Sequence, residues 1–391
     1  MVPSRCARLA QSIEAGAFGF TTSRSFTKSD ANLKPVPSRM ATFEEDVQLA
    51  EELRHVGATG MGLNAEGLFS GLTDGDRDVI REMTRVSDKP IQVNAAAKHP
   101  DLMDSLAAEG LTLWASVPSQ PFYRYIDLYR GTNTFNGMDT WLMIAEKPLE
   151  ERRRLYGAPE LRQKLRAEVD AEPALDARTM RRPRLHWDTL TVARAARAEN
   201  RHLEGLSIAE LAKRQRKHLA DAILDLAVAE DLRTEFLNRF QKEADFFTEA
   251  MASTYRHPNV VPLNSDAGAH LRSECKAGDG TYFLRRWVID RGIMSLEEGV
   301  RKLTSVPARM MGLSDRGVLK EGAAADIVVF DPARLDCLAK EPVADLPGGE
   351  ERWVQKAAGI SFVIVNGRVT LRDGKEAGEL PGKVLRSGWY R

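Results

Sequence analysis

Apolar and polar positions follow two alternating regimes along most of this chain. Runs rich in apolar and β-branched residues recur at 17–22, 58–64, 90–95, 111–117, 185–192 and 259–265, and each reads as a strand. Between them the apolar positions recur with helical spacing. Ser207 with Glu210 forms a capping-box signature ahead of Ile208, Leu211 and the Ala/Leu-rich stretch 220–229. Ser295 with Glu298 repeats the device ahead of Val300 and Leu303. Strand-like runs alternating with helical stretches predict an α/β fold, either a βα barrel or a doubly wound sheet. Residues 150–183 are densely charged and read as a helical excursion on the surface.

The pattern changes after Leu313. Short β-branched runs are now punctuated by Glu321-Gly322, Asn366-Gly367 and Asp373-Gly374. Asn366-Gly367 lies between the apolar runs 362–365 and 368–371 and predicts a two-residue hairpin, because both turn positions favour φ > 0. The expected organisation is a large α/β unit over residues 1–313 and a small β unit over residues 314–391, packed beside it.

Composition narrows the classes of function. The chain has 391 residues, with 56 basic and 56 acidic side chains. No global field therefore draws nucleic acid or an anionic membrane. No run approaches the roughly 20 apolar residues that a membrane span needs, and the start lacks the apolar core of a secretion signal. Cys6, Cys275 and Cys337 are too few and too scattered for a disulfide framework, so a reducing, cytoplasmic setting is expected. No G-x-G-x-x-G follows a strand and no P-loop is present, which removes the usual nucleotide-binding signatures.

Candidate chemistry concentrates late in the chain. The apolar run Val260-Val261-Pro262-Leu263 leads into Asn264-Ser265-Asp266-Ala267-Gly268-Ala269-His270. A carboxylate just after an apolar strand occupies the place where barrel enzymes do their chemistry. There it can hold a metal ion or take a proton from water. The alternative is an ordinary aspartate capping the next helix.

Further blocks follow in order: Trp287-Val288-Ile289-Asp290-Arg291-Gly292, Leu303-Thr304-Ser305-Val306-Pro307-Ala308-Arg309-Met310, Ala325-Asp326-Ile327-Val328-Val329-Phe330 and Val363-Ile364-Val365-Asn366-Gly367. With Ala15-Gly16-Ala17-Phe18-Gly19-Phe20-Thr21-Thr22 near the start, this series resembles the metal-dependent amidohydrolases, in the branch of the N-acyl-D-amino-acid deacylases. The resemblance is weakest over residues 60–200. It implies an incomplete (β/α)8 barrel, of the TIM type, with about five or six of the ~8 strands present, and part of a β-sandwich at the C-terminus. It also implies a zinc-dependent hydrolase of non-peptide C–N bonds, acting on an N-acyl amino acid or a similar small amide.

The same resemblance assigns roles. Asp266 matches the family's carboxylate after the last barrel strand, in contact with the metal or its water and moving a proton to the leaving amine. His99 is the second candidate metal ligand, set against a reading as a helix-entry residue. Apart from the resemblance, Lys98 as a flexible point charge, His270 four residues after Asp266 on the same helical face, and Arg285 as a bidentate clamp are candidates for holding the substrate, and each has a plain structural alternative. Arg286, Cys275, Glu66 and the His186/Asp188 couple are lesser candidates. The sequence departs from the family where the early strand's His-x-His pair is expected, and Asn64 and Asn94 stand where two central strands carry histidines. Asparagine is a poor ligand beside imidazole. Early strands are thus expected to be missing. A barrel open on one side predicts a homo-oligomer or a partner chain covering it. A truncated, catalytically inactive member is the competing reading.

Overall fold

The computed structural model describes residues 2–25, 28, 30, 34–65, 72–130, 135, 137–171, 187–239 and 246–390. Strands β1 (Gly19–Ser23), β2 (Gly60–Asn64), β3 (Ile91–Gln92), β4 (Leu113–Ser116) and β8 (Val260–Val261) form one five-stranded sheet in that order. Every pairing in it is parallel. Helices Phe43–His55, Asp74–Ser87 and Pro100–Ala108 fill the crossovers between the first four strands. This is the βα alternation that the sequence predicts, in an open arc of a barrel.

Two strands are shorter than their apolar runs. β3 stops at Gln92 because Asn94–Lys98 closes into a 3₁₀ turn. β8 stops at Val261, before Pro262, which has no N–H to give to a ladder. Gly19 pairs with Gly60, and a Cβ on Gly19 would lie 1.8 Å from the Gly60 carbonyl oxygen, so the register needs glycine there. Ile80, Met83, Ile91, Val93, Leu106, Leu113, Tyr255 and Trp287 are buried in the core between sheet and helices.

The run at 185–192 does not join that sheet. Residues 185 and 186 lie outside the described residues, and the strand that forms is β6 (Leu190–Arg194). It pairs antiparallel with β7 (Glu235–Arg239), which also pairs antiparallel with β5 (Tyr123–Ile126). This three-stranded sheet packs with helices Asp139–Ala145, Leu149–Gly157, Pro159–Asp170, Ile208–Gln215 and Leu219–Ala229 over a separate core. Trp141, Tyr156, Leu165, Ile223 and Phe236 lie at its centre. The charged stretch beginning at Glu150 is therefore not just a surface excursion. Tyr156 and Leu165 are fully buried, and the Arg152 guanidinium donates to the Leu128, Tyr129 and Lys147 carbonyls. Residues 172–183 of that stretch lie outside the described residues.

The capping box at Ser207–Glu210 forms with both bonds in place. At Ser295 one half forms: Ser295 Oγ accepts from the Glu298 N–H, while the Glu298 carboxylate turns to Arg301 at 2.7 and 2.8 Å. The nearby guanidinium outcompetes a backbone N–H for the charged oxygen.

The C-terminal region carries the expected β structure. Strands β9 (Ile327–Phe330), β12 (Ile360–Val365), β13 (Arg368–Arg372) and β14 (Lys375–Glu376) make a sheet in the order β14-β13-β12-β9, and β10 (Asp336–Val343) pairs with β11 (Arg352–Ala358). Asn366 and Gly367 take φ 48° and 78°, the left-handed pair of the predicted hairpin. Among the described residues no helix is long and apolar enough to cross a membrane.

Candidate functional site

β4 and β8 run side by side in the same direction, with Ala115 opposite Val260 and Ser116 opposite Val261. Their following loops therefore leave from one rim of the sheet. Asp279 stitches these loops together. Its buried carboxylate accepts from the Ser119 N–H at 3.2 Å, the Ser119 hydroxyl at 2.8 Å and the Asn264 N–H at 3.0 Å. Burial raises its pKa, against the pull of these donors. Trp287 adds a second tie by donating to the Ser119 carbonyl at 3.0 Å.

Asp266 lies on the loop after β8, in a left-handed conformation at φ 49°. His270 Nε2 is 3.8 Å from its Oδ2. The Ala269 N–H to Asp266 carbonyl bond closes the turn that brings them together. The Asp266 side chain keeps 48 % of its surface and that of His270 39 %, so the pair is open to solvent. The structure thus unites two of the predicted residues, in a turn rather than on a helix.

The other predicted residues lie elsewhere. Lys98 ends the 3₁₀ turn after β3 and is exposed. His99 enters the helix Pro100–Ala108, as its plain structural reading has it. Its Nε2 faces the Leu72 N–H at 2.8 Å and its Nδ1 faces the Arg77 guanidinium at 2.8 Å. Burial, then Arg77, lowers its pKa. The one lone pair of the neutral ring that accepts from Leu72 is thereby taken up, and Arg77 lies against the other nitrogen, so the ring is engaged within the chain. Arg285 lies on the helical turn Phe283–Ile289 with its guanidinium 3.1 Å from Asp290, and Arg286 is paired with Asp290 and Asp336. Both guanidinium groups are thus engaged, by the carboxylate at the end of their own helical turn and, for Arg286, also by that of β10. Cys275 is buried. Glu66 and His186 lie outside the described residues.

At Asn94, one of the two central strand ends where the family carries histidine, the chain places an uncharged network. Gln92 Nε2 donates to Ser116 Oγ at 2.8 Å, Ser116 Oγ donates to Asn94 Oδ1 at 2.9 Å, and Gln92 also bonds Asn94. Three other histidines bond nearby backbone through Nδ1, and two of them, His218 and His257, also face the carboxylates of Asp170 and Asp104. His218 Nδ1 accepts from the Ala220 N–H, His257 Nδ1 from the Asn259 N–H, and His202 Nδ1 bonds the Glu199 carbonyl. Among the described residues no group of three or more His, Cys, Asp or Glu converges to hold a metal ion. Amide and hydroxyl oxygens already bonded to each other are weak donors for zinc, so the described residues do not fit the family's metal.

Residues 48–371 match the model of the amidohydrolase family. The chain belongs to that family. A stretch of 124 residues is 37% identical to the N-acyl-D-glutamate deacylase of Alcaligenes xylosoxydans xylosoxydans and covers 32% of this chain and 23% of that protein. A stretch of 112 residues is 38% identical to the N-acyl-D-aspartate deacylase of the same organism, over 28% of this chain and 20% of that one. The alignments thus span about a quarter or less of these relatives. The fold is similar to that of the N-acyl-D-glutamate deacylase from Bordetella bronchiseptica, solved with zinc and a phosphonate inhibitor. The TM-score is 0.55 at 19% identity, covering 98% of this chain and 66% of that one. Within the amidohydrolase fold, no sequence signal marks the Asp279 staple or, apart from Asn94, the Gln92–Asn94–Ser116 network. Their partners are far apart along the chain or look like ordinary polar loop residues.

Proposed function

We propose that this amidohydrolase-family chain hydrolyses a C–N bond of a small N-acyl amino acid, outside the peptide class, with Asp266 as the proton carrier. The deacylase relatives support that substrate class. The observation that carries the reading is the Asp266–His270 couple on the loop that follows the last parallel strand. The Asp266 carboxylate takes a proton from water as the water oxygen bonds to the amide carbon. It then gives that proton to the amine nitrogen as the C–N bond breaks. His270 beside it orients the carboxylate and balances its charge when protonated. The test is release of free amino acid from N-acetyl-D-glutamate, N-acetyl-D-aspartate and N-acetyl-D-leucine. Asp266→Asn is expected to abolish any release. Unchanged turnover would remove Asp266 from the mechanism.

A second reading is an inactive member that serves as a scaffold or partner subunit. The Gln92–Asn94–Ser116 network favours it, because it fills the rim with mutually bonded uncharged groups. Equilibrium dialysis against zinc, followed by the turnover assay, separates the two. Turnover of an N-acyl amino acid, with or without retained zinc, supports the hydrolase, and a folded chain that shows no turnover even in the presence of zinc supports the inactive member. We further propose, in either case, that self-association or a partner chain covers the sheet's open side. Sedimentation of the purified chain tests self-association, and a strict monomer overturns that half of the proposal.

A further inference from the structure

The loop that carries Asp266 and His270 is held from two sides. The Tyr125 N–H on β5 donates to the Ser273 carbonyl at 2.7 Å, and the Trp353 N–H on β11 donates to the Leu271 carbonyl at 2.9 Å. The Tyr125 and Trp353 rings stack on each other, 3.9 Å between centroids and 16° apart. Between these two bonds lies Arg272. Its guanidinium reaches Glu235 at 2.9 Å and Glu351 at 3.1 Å. Arg194 reaches the same two carboxylates at 3.0 and 2.8 Å. The four side chains form a closed ring of alternating charge with no net charge. It joins β6 and β7, the loop after β8 and the start of β11.

Closure of the ring distinguishes it from a surface ion pair. Glu235 keeps 6 % of its side-chain surface, and each carboxylate meets two guanidinium groups. Hydrogen bonding from Arg194, with Arg272 assisting, holds the Glu351 carboxyl below the usual carboxylate range. An isolated exposed pair contributes little, but a partly buried network of paired charges is weakened when any one member is removed, because its partners are left uncompensated. Removing Arg272 would leave Glu235 and Glu351 facing each other across a single guanidinium.

The geometry points to Arg272 as a positioning residue that locks the Asp266–His270 loop to the second α/β unit. This role rests on the reading of Asp266 given above, and it deepens that reading by naming what presents the carboxylate. The position of the unit built on β5, β6 and β7 then sets the position of Asp266.

The experiment is amide hydrogen exchange across residues 266–275 in the full chain, compared among wild type, Arg272→Met, Arg272→Lys and Glu351→Gln. Arg272→Met is expected to speed exchange there by about tenfold while β1–β4 exchange as before. Arg272→Lys, which keeps the charge, is expected to restore part of the protection. Uniformly faster exchange would show a merely structural arginine, and unchanged exchange in 266–275 would remove the role. If Arg272→Met does not fold, Glu351→Gln, at the more exposed end of the ring, decides by the same criterion. Where the wild type hydrolyses an N-acyl amino acid, Arg272→Met is expected to lower kcat with little change in KM, and Arg272→Lys to recover part of it. A wild type without turnover overturns the proposed function, while the exchange pattern still decides the lock.

Discussion

The carboxylate of Asp279 accepts a hydrogen bond from the backbone N–H of Asn264 at 3.0 Å, tying the exit of β8 to the helix that begins fifteen residues later. Its other oxygen takes the Ser119 N–H and hydroxyl from the loop after β4. Parallel neighbours β4 and β8 are separated in sequence by the whole second unit, so their ladder needs such a staple. Asp279→Ala strands these donors in a buried site. It is expected to cost about 2–3 kcal/mol, seen as a lower urea midpoint with an unchanged m-value. A midpoint within error of wild type would show that the staple is dispensable.

His99 makes stability fall in acid. Burial and Arg77 lower its folded-state pKa from the ordinary 6.5, so below that value the unfolded chain binds more protons than the folded one. The contribution is complete above the ordinary value and is lost as pH falls through the folded one. Unfolding free energy is expected to drop more in wild type than in His99→Gln on going from about pH 7 to about pH 5. Equal drops would assign the acid sensitivity to other groups.

Lys302 behaves in the opposite pH range. Its side chain is fully buried, and the ammonium donates to the Val260 carbonyl at 3.1 Å and to that of His257. Burial lowers its pKa from 10.5 to about 8. Between those values the unfolded chain holds the extra proton, so this residue makes stability rise with pH. Lys302→Met is expected to flatten that rise while lowering stability at neutral pH by about 1–3 kcal/mol, because the buried Val260 carbonyl loses the Lys302 donor, whereas that of His257 keeps the Val260 N–H. A wild-type profile that rises no more steeply than the variant's over the same range would contradict the assignment.

Two glycines should respond differently to alanine. At Gly367 the cost is conformational, because φ is 78° and a Cβ there has space. Gly367→Ala is expected to cost about 1–2 kcal/mol. At Gly19 the added Cβ would run into the Gly60 backbone, and the strand cannot move without breaking register. Gly19→Ala is expected to be the more damaging of the two. Thermal denaturation of both variants ranks them, and the reverse order would mean that β1 is not held in this register.

Along the sequence, what could be read was whatever a few neighbouring residues determine. The Asn366-Gly367 turn, the Ser207–Glu210 cap, the apolar runs that became β1, β2 and β4, and the aspartate following β8 all rest on local backbone preference or on side chains one turn apart. Tertiary structure decided which sheet a run joins. The run at 185–192 has the same apolar character as the barrel strands, yet the strand it supplies pairs antiparallel with β7 over a second core. It also decided which charges are engaged. Arg285 and His99 have suitable chemistry in isolation, but Asp290 and the Leu72/Arg77 pair take them up. Hydrogen bonds and ion pairs between distant segments depend on distance and direction in space, and sequence spacing encodes neither. For that reason the ring through Arg272 and the staple at Asp279 emerge only once the chain is folded.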